Sequence, residues 1–151
     1  MIIVSACLTG KNCKYNGGNN DCPPVKACLE GQSWYCVCPE TAGGLSAPRP
    51  PCEYQGDRVI DREGTDRTEA FEEGARKSLD AALREAKARG EDILLAILKA
   101  RSPSCGCGQI YDGTFTGTLT EGDGCFTALL KEQGIPVLTE EDIINQKEKD
   151  Q

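Results

Sequence analysis

Ten cysteines and no histidine in 151 residues restrict the chemistry open to this chain. Without an imidazole there is no Ser-His or Cys-His nucleophile pair, no His-ligated zinc, no facial triad and no proximal histidine for haem. What remains is thiol chemistry. Four thiols, Cys7, Cys13, Cys38 and Cys105, stand in glycine- and proline-rich loops rather than in packed runs. Taken singly, each reads equally well as a small buried hydrophobe. The paired C-x2-C knuckles of structural zinc are missing, as is the C-x-x-C of thioredoxin-like redox chemistry. The tighter pairs Cys36-x-Cys38 and Cys105-x-Cys107 are poor for two ligands on one tetrahedral ion. A soft, all-thiolate set without imidazole suits an iron–sulfur cluster best. Proline directly after Cys38 is a familiar neighbour of a cluster ligand.

Of the other six thiols, Cys28 and Cys125 fall in helical patterns and Cys36 inside a strand pattern, so packing is their default use. Cys22 and Cys52 are harder to place, and Cys107 lies close enough to Cys105 to be exchanged with it as a ligand. Glu40 follows Cys38 by two residues. In a solvated loop it is an ordinary surface carboxylate; beside a cluster it is placed to donate or accept a proton. Ser102 and Ser104 flank Pro103 just before Cys105, either as turn formers or as a pair that hydrogen-bonds a polar substrate or a water. Arg49 reads as surface charge on a stiff proline loop. Its surroundings, residues 39–64, show no clear pattern, and loops of that length in compact domains tend to be functional. Residues 108–115 read as a turn-rich lid or wall.

The elements that must position these groups are legible from hydropathy. Apolar runs at 1–6, 34–38, 93–98 and 135–138 read as buried strands. Helical patterns lie between them. One starts at Pro23-Pro24, where proline suits the first turn, and stops at Gly31. A long one opens at Asp66 with Glu69 at capping-box spacing, carries Phe71, Ala75, Leu79, Ala82, Leu83 and Ala86 on one face, and ends at Gly90. A third spans about 124–134, and a last follows Thr139 with Glu140 and Glu141 where the helix dipole favours acids. Alternating strands and helices predict a small three-layer α/β domain, Rossmann-like, with a mostly parallel sheet. Residues 1–145 are expected to form this one domain, and 146–151 a polar tail that frays. Ligands in such folds sit beyond the carboxyl ends of the strands. Three strands end at Cys7, with Cys13 six residues on, at Cys38 and before Cys105, so all four thiols are expected at one edge of the sheet.

Composition narrows the partners. Seventeen basic against 24 acidic residues leave a net charge of −7, which argues against a general grip on nucleic acid. No run approaches a membrane span, and the opening residues carry no secretory pattern. A cytoplasmic chain is expected, in which thiols stay reduced and richness in cysteine points to metal or catalysis.

The motifs match a known family. Ser5-Ala6-Cys7-Leu8-Thr9-Gly10 with Cys13-Lys14-Tyr15-Asn16-Gly17, then Cys38-Pro39-Glu40 with Gly43-Gly44-Leu45 and Pro48-Arg49, then Ser102-Pro103-Ser104-Cys105-Gly106 with residues 110–115, resemble in order the three motifs of the TudS-type thiouracil desulfidases. The resemblance spans residues 2 to about 140. It implies a 4Fe–4S cluster held by Cys13, Cys38 and Cys105, with one iron not bound by protein. Cys7, Glu40 and one serine of the pair, Ser102 by preference, would then act on a small thiolated pyrimidine. Two departures stand out: six further cysteines, and Thr9 where the family commonly has an apolar residue. A competing reading makes Cys7 a fourth ligand of an electron-transfer or redox-sensing module without substrate. Another is a non-catalytic zinc- or cluster-carrying binding domain.

Overall fold

The computed structural model describes residues 1–149; Asp150 and Gln151, the end of the expected tail, lie outside the described residues. Four short strands, β1 (Ile2–Ser5), β2 (Trp34–Val37), β5 (Leu95–Leu98) and β8 (Val137–Thr139), form one sheet in the order β2-β1-β5-β8. Every pair in it is parallel, with Val4 opposite both Cys36 and Ile97. Successive side chains on a strand face opposite ways, and the core divides accordingly. Ile3, Ala96 and Leu98 join one apolar cluster. Ile2, Val4 and Ile97 join another on the opposite face.

Helices cover both faces, which gives the expected three layers. The first cluster packs under α3 (Thr68–Arg89) and α4 (Cys125–Glu132), with Phe126 and Leu130 fully buried. The second packs under α1 (Pro23–Leu29) and α5 (Glu140–Lys149). In α1 the two prolines occupy the first turn, where their missing N–H costs nothing. On α3 the buried stripe is Phe71, Ala75, Leu79, Ala82 and Ala86. Leu83 departs from expectation at 44% exposure, because one residue past Ala82 is a step of about 100° around the helix. The cap also shifts. The helix opens at Thr68, whose N–H donates to Asp66 Oδ1 at 2.9 Å, while Gly90 closes it in the left-handed conformation. The stretch from Gln146, expected to fray, continues α5 as far as Lys149.

Residues 39–64, expected to lack structure, contain α2 (Pro39–Ala42) and a hairpin of β3 (Cys52–Gln55) and β4 (Arg58–Asp61). Its strands, CEYQ and RVID, are four residues long and half polar, so they lack the apolar runs that mark the central sheet. A second hairpin joins β6 (Gln109–Tyr111) to β7 (Leu119–Glu121). The short α2 lies against α3 through glycine. A Cβ at Gly74 would stand 1.8 Å from the Pro39 carbonyl oxygen, and one at Gly43 would stand 2.0 Å from that of Ala70. This backbone-to-backbone contact seats the helix that follows Cys38. Because β2, β1 and β5 are neighbours, their carboxyl ends open side by side.

Candidate active site

At those carboxyl ends lies a cavity of about 490 Å³. All six residues singled out from the sequence, Cys7, Cys13, Cys38, Glu40, Ser102 and Cys105, line it. Cys7 comes from a 3-10 turn (Ala6–Thr9) directly after β1, and Cys13 from the loop beyond it. Cys38 follows β2 directly and caps α2, whose second residue is Glu40. Cys105 follows β5 through a turn entered at Arg101, which adopts a positive φ of 70°.

The thiols are free and electrostatically unequal. Cys13 and Cys38 touch. The hydrogen bond from the Cys13 thiol draws Cys38 down against the opposing effect of burial, and the Thr41 hydroxyl, 3.1 Å away, adds to it. Cys13 moves up, first through that same bond and then through burial. Burial is also the main cause that pushes Cys105 up, at 4% exposure, and raises Cys7. The Asn20 amide opposes the rise at Cys7 by donating to its sulfur at 3.4 Å. A fifth thiol, Cys52 on β3, also reaches the wall, and burial lifts it to about 12. Of the rest, Cys22 is buried in the α1-side core with Cys36 packed against it, and Cys28 is exposed. The Cys125 thiol donates to the Phe71 carbonyl at 3.4 Å, and that of Cys107 to the Val137 carbonyl at 3.9 Å.

Glu40 is held from both ends. Arg49 donates to its Oε1 from Nε at 3.3 Å and from Nη2 at 3.1 Å, and the Ser104 hydroxyl donates to its Oε2 at 2.8 Å. Ser104 Oγ lies 3.3 Å from Ser102 Oγ, which in turn accepts the Cys105 N–H at 2.8 Å. Carboxylate, two hydroxyls and the amide of Cys105 therefore form one hydrogen-bonded line. Arg49, expected at the surface, has a side chain only 8% exposed. Besides Glu40 it binds the Cys13 carbonyl at 3.0 Å, tying the Cys13 loop to α2. Arg49 stood in the second motif of the resemblance without any mark of these partners, and Asn20 carried no sequence signal.

The donor set fits an iron–sulfur cluster better than a lone cation. Among the described residues, no three cysteine or acidic side chains converge closely enough to hold one metal ion. The thiols instead stand around a shared cavity on separate loops, as ligands at several corners of a larger group would. Hydrogen bonds from Cys13 and Thr41 lower the Cys38 thiol toward the thiolate form that a metal ligand takes.

Comparisons with known proteins point to one family. The sequence profile of the 2-thiouracil desulfurase family matches residues 2–142. The chain is 37% identical over 153 residues to the uncharacterized protein YbbK of Bacillus subtilis strain 168, covering 95% of this chain and 97% of that one. Among solved structures, it is similar to the 4Fe–4S-dependent thiouracil desulfidase TudS at 43% identity and a TM-score of 0.79. That match covers 95% of this chain and 93% of the other. Ordered motifs, fold and nearly complete coverage together show that the chain belongs to the 2-thiouracil desulfurase family of enzymes.

Proposed function

We propose that this chain removes sulfur from thiolated pyrimidines, 2- or 4-thiouracil and thiouridine among them, releasing the pyrimidine and sulfide without net redox change. The observation that carries the reading is one cavity that gathers free thiols from three strand ends with Glu40 and the Ser102–Ser104 pair. Cys13, Cys38 and Cys105 would hold a 4Fe–4S cluster, as three ligands leaving one iron free of protein. When bound, that cluster supplies a Lewis-acidic iron with high affinity for the thiocarbonyl sulfur.

The chain's own residues supply the rest. Arg49 and Ser104 fix the Glu40 carboxylate at the wall, where it exchanges a proton with a ring nitrogen or the departing group. The hydroxyl line carries that proton exchange toward Ser102, within reach of a polar substrate. Asn20 orients the Cys7 sulfur. The nucleophile, water or the Cys7 sulfur itself, adds at the thiocarbonyl carbon, and collapse expels sulfur as hydrosulfide. Water supplies the oxygen that replaces it, so carbon and sulfur keep their oxidation states. Residues 1–145 act as one unit in this reading, in the reducing cytoplasm, on a small molecule rather than on nucleic acid.

Protein purified and reconstituted without oxygen tests the proposal. About four irons per chain, with loss of 4-thiouracil absorbance matched by equal uracil and sulfide, is the expected result. Loaded protein that leaves both thiouracils and thiouridine untouched overturns the activity, and protein that takes up no iron overturns the cluster.

A further inference from the structure

The cavity wall includes a segment that the chemistry above does not use. The β6–β7 hairpin contributes Tyr111, Phe115 and Gly117 to it. Phe115 adopts φ 57°, a left-handed conformation that a bulky residue enters only where its surroundings impose it. Here they do. Glu53 on β3, itself buried, accepts the Gly113 N–H at 2.9 Å and the Phe115 N–H at 3.2 Å through the same oxygen. Gln55 Nε2 donates to the Gly113 carbonyl at 3.0 Å. Gly113 approaches β3 so closely that a Cβ would stand 2.4 Å from the Tyr54 oxygen. The turn is thereby pinned to the first hairpin.

Packing does not explain the cost. Phe115 is half buried and belongs to neither apolar core cluster. Its ring instead stands beside the cavity with the Arg62 guanidinium 5.7 Å from its centroid, a cation–π arrangement, and Arg62 lines the same cavity. A buried carboxylate and a glycine seat are together used to present one aromatic ring to the space that holds the thiols. We infer that Phe115 is the specificity-determining wall against which the flat ring of the substrate packs. This assignment rests on the thiolated-pyrimidine reading and adds the residue that selects a planar heteroaromatic ring, since every such ring offers a π-face.

Phe115→Gly tests it, because glycine favours the observed φ and leaves the turn its shape while the ring disappears. The expected result on 4-thiouracil is a KM raised about tenfold, the loss of one ring–base contact, with kcat within about threefold. Iron content, the visible spectrum and Tm stay at or above wild-type levels. Equilibrium dialysis of uracil, which needs no turnover, shows the same loss of affinity, and Phe115→Tyr restores both. A glycine variant with KM and uracil affinity within about twofold of wild type overturns the assignment while the activity stands. Wild-type enzyme inactive on both thiouracils and thiouridine overturns the activity and the assignment together.

Discussion

Cys7 differs from Cys13, Cys38 and Cys105 in what surrounds its sulfur. The Cys13 and Cys38 thiols are hydrogen-bonded to each other, and Cys105 is buried against Ser5 and Ser104. Cys7 instead accepts an amide hydrogen bond from Asn20, which orients its sulfur and opposes the rise that burial imposes. Cys7→Ser is therefore expected to retain full iron while turnover falls about a hundredfold or more. Cys38→Ser is expected to lose iron and turnover together. The pair is read by iron analysis beside uracil release. Loss of the cluster in Cys7→Ser would make Cys7 a fourth ligand and return the chain to an electron-transfer module. The hydrogen bonds that shape these roles were not legible from spacing. Arg49 lies nine residues from Glu40, and Asn20 thirteen from Cys7; each pair meets only once the intervening loop has folded, so nothing local marks it.

The helix that follows Cys38 owes its position to α3. Alanine in the middle of a long helix ordinarily stabilises it relative to glycine by about 1 kcal/mol. At Gly74 the new Cβ would meet the Pro39 carbonyl and the Gly43 nitrogen, backbone atoms that no rotamer change can remove. Gly74→Ala is thus expected to destabilise by about 1–3 kcal/mol, the usual cost of overpacking, and to lower iron content by displacing Cys38 and Glu40. Urea midpoints with iron analysis check this, and a variant as stable and as iron-rich as wild type would refute it. Elements of this kind set the limit of legibility. The four sheet strands announce themselves as short apolar runs, and the central pair, β1 and β5, is buried on both faces as parallel strands require. The two hairpins do not, because QIY and LTE, like CEYQ and RVID, are short, half polar and at least partly exposed at most positions. The thiol edge was legible for a topological reason, since the loops after neighbouring parallel strands open on one side. The opposite wall was legible only in part: residues 108–115 read as a turn-rich lid or wall, and Tyr111 and Phe115 do line the cavity, whereas the strands of the β3–β4 hairpin gave no signal.

Over the whole molecule, charge bears on which form of the substrate reaches the cavity. The chain carries −7, and of the basic groups that line the cavity Arg49 is paired with Glu40 and Lys99 with Glu140 at 3.5 Å, while Lys14 and Arg62 stand over the rings of Tyr15 and Phe115. A polyanion therefore meets net repulsion at long range and finds few free cations at the mouth, whereas a neutral base feels neither effect. Binding that neutralises phosphates weakens steeply with salt, because counterions are released on association. The enzyme is accordingly expected to act on 4-thiouracil with a kcat/KM that changes less than about twofold between low and moderate salt. A 4-thiouridine-containing oligoribonucleotide should be processed about a hundredfold less efficiently. Steady-state kinetics on both substrates across a salt series decides the matter. An oligoribonucleotide handled as well as the free base, with a steep salt dependence, would show that local basic side chains such as Lys11 and Lys14 outweigh the overall charge. The cavity would then be the end of a strand-binding path. A flat salt profile with strong preference for the base leaves its volume of about 490 Å³ matched to a single small ring beside the thiol cluster.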